Sequence, residues 1–216
     1  MSEEVKYLWI FVTYQGLIWP LALFLSIRWR GIQESIRFLV PTLLAAFALE
    51  TAGIVSGKYS YPAYSISIPM FGHEVPVIIM LGWSATLFFL REISYKITSR
   101  VHITGRRIRL FIIAAMTGFI GVLYDLFLDT IANFLGWWHW PNPSHEVCFY
   151  GVPVTNFSVW FVFLFFLTIF FHLIEEAELP EIQKNILAIV GLPIIGILML
   201  STQLLIKAFF HILGWV

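Results

Sequence analysis

Apolar residues run through this chain in continuous blocks, with neither the alternation of a half-buried strand nor the polar face of a surface helix. Crossing a bilayer as a helix takes about twenty apolar residues, and six blocks reach or approach that length: 8–27, 38–55, 75–90, 108–135, 154–174 and 186–206. The first contains Pro20, where a kink is expected because proline removes a helix hydrogen bond. The third begins beside Pro76 and is the shortest. The leader Met-Ser-Glu-Glu-Val-Lys lacks the basic start and small-residue cleavage site of a signal peptide, so the first block is expected to stay as a helix. A short amphipathic tail, 207–216, is expected to lie in the interface. The pattern predicts an all-α, polytopic membrane helix bundle of about six transmembrane helices, forming a single domain over 1–216.

The polar residues between the blocks predict the orientation, because short cytoplasmic loops are enriched in Lys and Arg. Arg28, Arg30 and Arg37 follow the first block, Arg91, Lys96, Arg100, Arg106, Arg107 and Arg109 the third, and Lys184 the fifth. Ten of the 13 basic residues thus fall on one side, leaving Lys6, Lys58 and Lys207 on the other. Both termini are expected outside, in a multi-pass protein of a prokaryotic cell membrane. The acidic run Glu175, Glu176, Glu178 and Glu181 then falls in a cytoplasmic loop and reads as a solvated connector. Lys207, at the end of its block, reads as a snorkelling anchor. Gly118 and Gly121, like Gly191 and Gly196, read as close helix-packing positions.

Composition supports this and excludes alternatives. The chain is 59% hydrophobic and 12% charged, about half the charge of a soluble domain. Its formal net charge of +0 lacks the basic footprint of a nucleic-acid binder. Cys148 is the one cysteine, so no intrachain disulfide and no cysteine-based zinc site can form.

Against this background the acids stand out. Glu50, Asp125 and Asp129 lie inside apolar blocks, where an ionisable residue costs about 2.5–3.5 kcal/mol and faces the bundle interior. Asp125 and Asp129, four residues apart, share one helix face. At about 1.5 Å per residue, Glu50 lies roughly 20 Å and Asp125 roughly 25 Å from the cytoplasmic ends of their helices. All three therefore fall in the outer half of the membrane, and Glu50, without a basic neighbour, is expected to be protonated or to share a proton with another acid. For Asp129, nearest the interface, a helix-cap or loop-anchor role competes with a functional one. Two outer loops, 56–74 and 136–153, are rich in Tyr, Trp, His and Pro. Their Tyr59, Tyr61, Tyr64, Tyr150, Trp137, Trp138 and Trp140 suit an aromatic belt or a pocket that stabilises a cation. Asn156, opening the fifth block, is placed to hydrogen-bond Asp125 or a water. His73, His139 and His145 lack helical ligand spacing, so no metal and no other cofactor is expected.

Three segments carry a resemblance. Glu50-Thr-Ala-Gly53-Ile-Val-Ser-Gly57-Lys-Tyr59-Ser-Tyr61 resembles an E-x-x-G-x-x-x-G…Y-x-Y motif. Asp125-Leu-Phe-Leu-Asp129 followed by Gly136-Trp-Trp-His-Trp140 resembles D-x-x-x-D-P…G-x-W-x-W, with Thr130 in place of the proline. Tyr150-Gly-Val-Pro153-Val-Thr-Asn156-Phe157 resembles Y-G-V-P-x-x-N-F, although Val159 stands where the pattern has glycine before Trp160. In this order, over about half the chain, they resemble the integral-membrane carotenoid-biosynthesis family that includes bisanhydrobacterioruberin hydratase and carotenoid 1,2-hydratases.

That resemblance implies a hydratase that adds water to the terminal isolated C=C of an acyclic C40 or C50 carotenoid. A carboxyl would protonate the alkene to a tertiary carbocation and water would capture it. The implied catalytic residues are Glu50, Asp125 and Asp129, with Glu50 and Asp125 the leading pair. Tyr59, Tyr61, Trp140, Tyr150 and Asn156 are the implied substrate-binding residues. Substrate and membrane lipid are the expected partners, and the oligomeric state is left open. The competing readings are a carotenoid cyclase or isomerase sharing the protonation step, and a non-enzymatic isoprenoid binder or transporter. Transporters often carry inverted repeats, and none is evident between the two halves.

Overall fold

The structure, a computed structural model, describes residues 3–62, 66–141 and 147–213. Its helices are α1 (Glu3–Arg30), α2 (Ile32–Val55), α3 (Val77–Thr98), α4 (Arg106–Phe134), α5 (Val154–Glu176), α6 (Glu181–Val190) and α7 (Leu192–Ile212), with strands β1 (Ser67–Met70), β2 (His73–Pro76), β3 (Cys148–Phe149) and β4 (Val152–Pro153). Six spans, counting α6 and α7 as one, are long and apolar enough to cross a membrane. The protein is an all-α polytopic bundle, and α2, α3, α4 and α5 form its centre. Outside the centre, α1 packs on α2 and α3, and α7 packs on α5.

The helices overrun the apolar blocks because charged residues are accommodated inside them. α2 starts at Ile32 rather than 38, and α3 continues past Leu90 to Thr98. Arg91, expected in a loop, is buried within α3, its guanidinium facing the Phe38 and Phe171 rings at 5.0 and 6.0 Å. It hydrogen-bonds Glu175 at 2.5 Å, and Arg30 bonds Glu92 at 2.7 Å and Glu175 at 3.2 Å. Arg37, only 3% exposed, contacts Glu181 and donates to Asn185 at 3.0 Å. Arg106 pairs with Glu176 at 3.0 Å. Most of the acidic run is therefore not a solvated connector: Glu175, Glu176 and Glu181 tie the arginine-rich ends of the helices together, and Glu178 alone of the four is an exposed loop residue with no ion pair among the described residues. Buried charges persist where partners satisfy them, and a hydropathy window cannot see partners.

Breaks follow backbone chemistry. Gly31 (φ +85°) turns α1 into α2, a conformation that favours glycine. The sixth block divides at Gly191 into α6 and α7, with Pro193 in the first turn of α7, where its missing N–H costs nothing. Residues 207–212 continue α7 rather than forming a separate interfacial tail, and α1 runs unbroken through Pro20. A Cβ on Gly191 would meet the Phe170 ring at 2.4 Å, as expected of a packing glycine, whereas Gly196 faces open space and packs against nothing.

Candidate active site

At the end of the bundle opposite the arginines, α2 and α4 finish in the same way. Gly57 and Gly136 both adopt φ +69°, and each helix closes with a backbone bond reaching back five residues: Lys58 N to Gly53 O at 3.0 Å, and Trp137 N to Ala132 O at 2.8 Å. This left-handed glycine stop satisfies orphan carbonyls and reverses the chain. The aromatic segments after it therefore fold back across the helix ends. Ser60 and His139 exchange two 2.9 Å backbone hydrogen bonds and join the returning segments.

Glu50 is buried beneath this roof. Tyr61 Oη donates to Glu50 Oε2 at 2.7 Å, and Tyr59 and Trp83 line the same cavity. Tyr59 reaches it because Gly53 has no side chain: a Cβ there would lie 2.2 Å from the phenol oxygen. Burial, then the neighbouring Glu50, pushes both phenols well above the usual tyrosine range, so they remain donors at neutral pH.

The second acidic cluster stands across the cavity. Asn156 Nδ2 donates to Asp125 Oδ2 at 2.8 Å and to Asp129 Oδ2 at 2.6 Å, which brings the two carboxyls together on one nitrogen. Two buried carboxylates held this close repel each other, a repulsion that a shared proton relieves.

Glu50, Asp129 and Asn156 line one cavity of about 40 Å³, room enough for water. Tyr59, Tyr61, Trp138 and Trp140 roof it, and Trp83, stacked on Trp160 at 4.0 Å and 15°, walls it. From α1 come Phe11 and Gln15, the latter buried with an Oε1 that accepts no hydrogen bond among the described residues. Among the described residues, no lysine or arginine lines the cavity. The space joins carboxyls able to move protons to aromatic faces able to stabilise a cation.

A protein-family model described as "carotenoid biosynthesis protein" matches residues 7–214. The chain belongs to this family. No curated protein and no solved structure matches it. Family membership gives the protein a role in carotenoid metabolism, with a carotenoid-type substrate.

Within this carotenoid biosynthesis protein, most sequence-predicted residues converge. Glu50, Asp129, Tyr59, Tyr61, Trp140 and Asn156 face the cavity. Asp125, fully buried, stands behind Asp129 and touches the cavity only through it and Asn156. Asp129 is no helix cap: it lies within α4, hydrogen-bonded to Asn156. Tyr150 lies elsewhere. It is 75% exposed at the β3–β4 turn, and its carbonyl accepts from Asn133 at 3.4 Å. Tyr64 and His145 lie outside the described residues.

Sequence reasoning missed Gln15, Trp83, Trp160 and Phe11. Gln15 carried the same signal as the acids, a polar group inside an apolar block. It fits because Gly82 opposite has no Cβ, which would lie 2.0 Å from Gln15 Oε1. The tryptophans gave no signal, since an aromatic ring in an apolar helix is unremarkable until its partner is known.

Proposed function

We propose that the protein is a membrane carotenoid hydratase that adds water to the terminal isolated C=C of an acyclic carotenoid. One observation carries this reading: Asp129 and Glu50 line the same aromatic, cation-free cavity. Asp129, backed by Asp125, donates its proton to the CH carbon of the terminal double bond. The π electrons form the new C–H bond and leave a tertiary carbocation. The only positive charge in the cavity is then the substrate's own, stabilised by the faces of Trp83, Trp138 and Trp140 and by carboxylate charge. Water attacks the cation through oxygen, and its surplus proton passes to Glu50, whose carboxyl Tyr61 holds by a hydrogen bond. Gln15 Oε1 is placed to accept a hydrogen bond from that water. Return of the proton from Glu50 to the aspartate pair resets the site, for a net gain of one water. Of the three acids Asp129 takes the proton-donor role here, because it faces the cavity with Asp125 behind it.

The test is expression in a lycopene-accumulating host with pigment masses read from extracts. Gain of one water mass per reacted end supports hydration, and an isomer of unchanged mass would establish the cyclase instead. Asp129→Asn and Glu50→Gln are each expected to abolish the product while the chain still accumulates in the membrane. Retained hydration in both would overturn the reading.

A further inference from the structure

The two sides of the cavity repeat each other. Leu49-Glu50-Thr51 recurs 79 residues later as Leu128-Asp129-Thr130, and Gly57, Tyr59-Ser-Tyr61 and Phe71-Gly72 recur at the same spacing as Gly136, Trp138-His-Trp140 and Tyr150-Gly151. The backbone repeats with them. Phe71 and Gly72 turn their hairpin at φ +50° and +79°, Tyr150 and Gly151 theirs at +48° and +82°. The second hairpin's returning strand is two residues shorter. Beyond it the spacing becomes 77, and Pro76, Trp83 and Tyr95 recur as Pro153, Trp160 and His172. The helix crossings correspond too. Ser84 Oγ donates to the Leu39 carbonyl at 3.1 Å, and at the equivalent pair a Cβ on Gly118 would lie 2.9 Å from the Phe161 carbonyl oxygen.

Residues near a two-fold axis meet their own counterparts. Three pairs do so at successive levels of the bundle: Ser60 with His139 through two 2.9 Å backbone bonds, Trp83 on Trp160 at 4.0 Å, and Tyr95 with His172 at 2.8 Å. Both acid-bearing helices run the same way, so the repeat is parallel, not inverted.

We infer that α2–β1–β2–α3 and α4–β3–β4–α5 are two copies of one unit closed about an axis along the bundle, and that Glu50 and Asp129 are their equivalent acids, diverged into base and proton donor. Two positions separate the copies. Asp125 corresponds to Ala46, and Asn156 to Ile79. One copy kept an apolar setting around its acid, which the roof's phenols reach. The other gained a second carboxyl and an amide that bridges both. Asp125 and Asn156 are thus positioning residues, acting through Asp129 by holding a proton against it. The assignment of base and donor rests on the hydratase reading, whereas the duplication does not.

The test reads protons directly, by the infrared carbonyl stretch of protonated carboxyls in the purified full-length chain. Asp129→Asn is expected to remove the band of the paired acid, and Glu50→Gln to leave that band in place. The reverse dependence would overturn the inference. Asp125→Ala with Asn156→Ile, which gives the second copy the residues of the first, is expected to lower hydration at least ~100-fold, the scale of a lost general acid. Adding Ala46→Asp and Ile79→Asn moves the pair to the other copy, and the band should then depend on Glu50. If it stays tied to Asp129, equivalence fails. Should this fourfold variant not fold, the two single substitutions still decide who holds the proton. A native chain that adds no water refutes the hydratase reading alone, because the infrared result stands apart from product.

Discussion

Asn156 holds both carboxyls of the acid pair on one nitrogen, at 2.8 and 2.6 Å. Asn156→Leu keeps the volume and removes the donor, leaving two buried acids short of a hydrogen bond. An unsatisfied buried group costs about 1–3 kcal/mol, so a lower melting temperature in detergent is expected together with loss of the hydrated product. Stability and product both unchanged would show that the amide holds nothing in place. Tyr61→Phe is expected to be milder. It removes one donor at 2.7 Å from Glu50 while Tyr59 and Trp83 still line the cavity, and a hydrogen bond to a charged group is worth about 1.5–3 kcal/mol. The rate should fall roughly tenfold or more, since each 1.36 kcal/mol is a factor of ten, with the fold intact. At this scale the acids were legible because a charge in an apolar block is conspicuous. The depth ranking that favoured Asp125 over Asp129 was not enough, because which of two acids one turn apart meets a cavity depends on the helix opposite. Only α5, through Asn156, decides it.

Glycines set the elements that carry these residues, and their roles differ in ways the sequence does not separate. Gly57 and Gly136 hold left-handed backbone at φ +69°, which costs a residue with a Cβ about 1–2 kcal/mol. Alanine at either is expected to destabilise by that order and to misplace the aromatic roof, lowering product more than accumulation. Gly118→Val should act through the helix crossing. A Cβ there already meets the Phe161 carbonyl at 2.9 Å, so α4 and α5 must part and Asn156 must draw away from the aspartates. Overpacking typically costs 1–3 kcal/mol. Gly196→Ala makes the contrast: nothing lies within 4 Å of an added Cβ, and a glycine inside a helix gains about 0.5–1 kcal/mol on becoming alanine. If Gly118→Val and Gly196→Ala behave alike in melting and product, the crossing does not position the site. The spans were legible from hydropathy alone. The glycine stops and paired hairpins that turn two loops into a roof were not, because aromatic residues near a membrane surface read equally well as a belt.

Across the whole molecule, chemistry is divided between two ends. The acids, the cavity and the hairpins occupy one; ten of 13 basic residues belong to the other. Part of that bias is internal structure, since Arg30, Arg37, Arg91 and Arg106 are tied to Glu92, Glu175, Glu176 and Glu181 and brace the helix ends. Discounting them leaves Arg28, Lys96, Arg100, Arg107 and Arg109, all exposed, and half-buried Lys184. Exposed basic residues at these helix ends and in the connection after α3 would favour retention in the cytoplasm. That orientation would open the cavity toward the outer leaflet, and a polyene lying in the bilayer would reach it from that half. In a Cys148→Ser background, Glu74→Cys places a thiol on an exposed residue of β2, and Ser99→Cys one on the exposed turn after α3. A membrane-impermeant maleimide applied to intact cells is expected to label the first and to reach the second only after permeabilisation. The opposite pattern would put the arginine network outside, and the hairpin-roofed cavity would then take its substrate from the cytoplasmic leaflet.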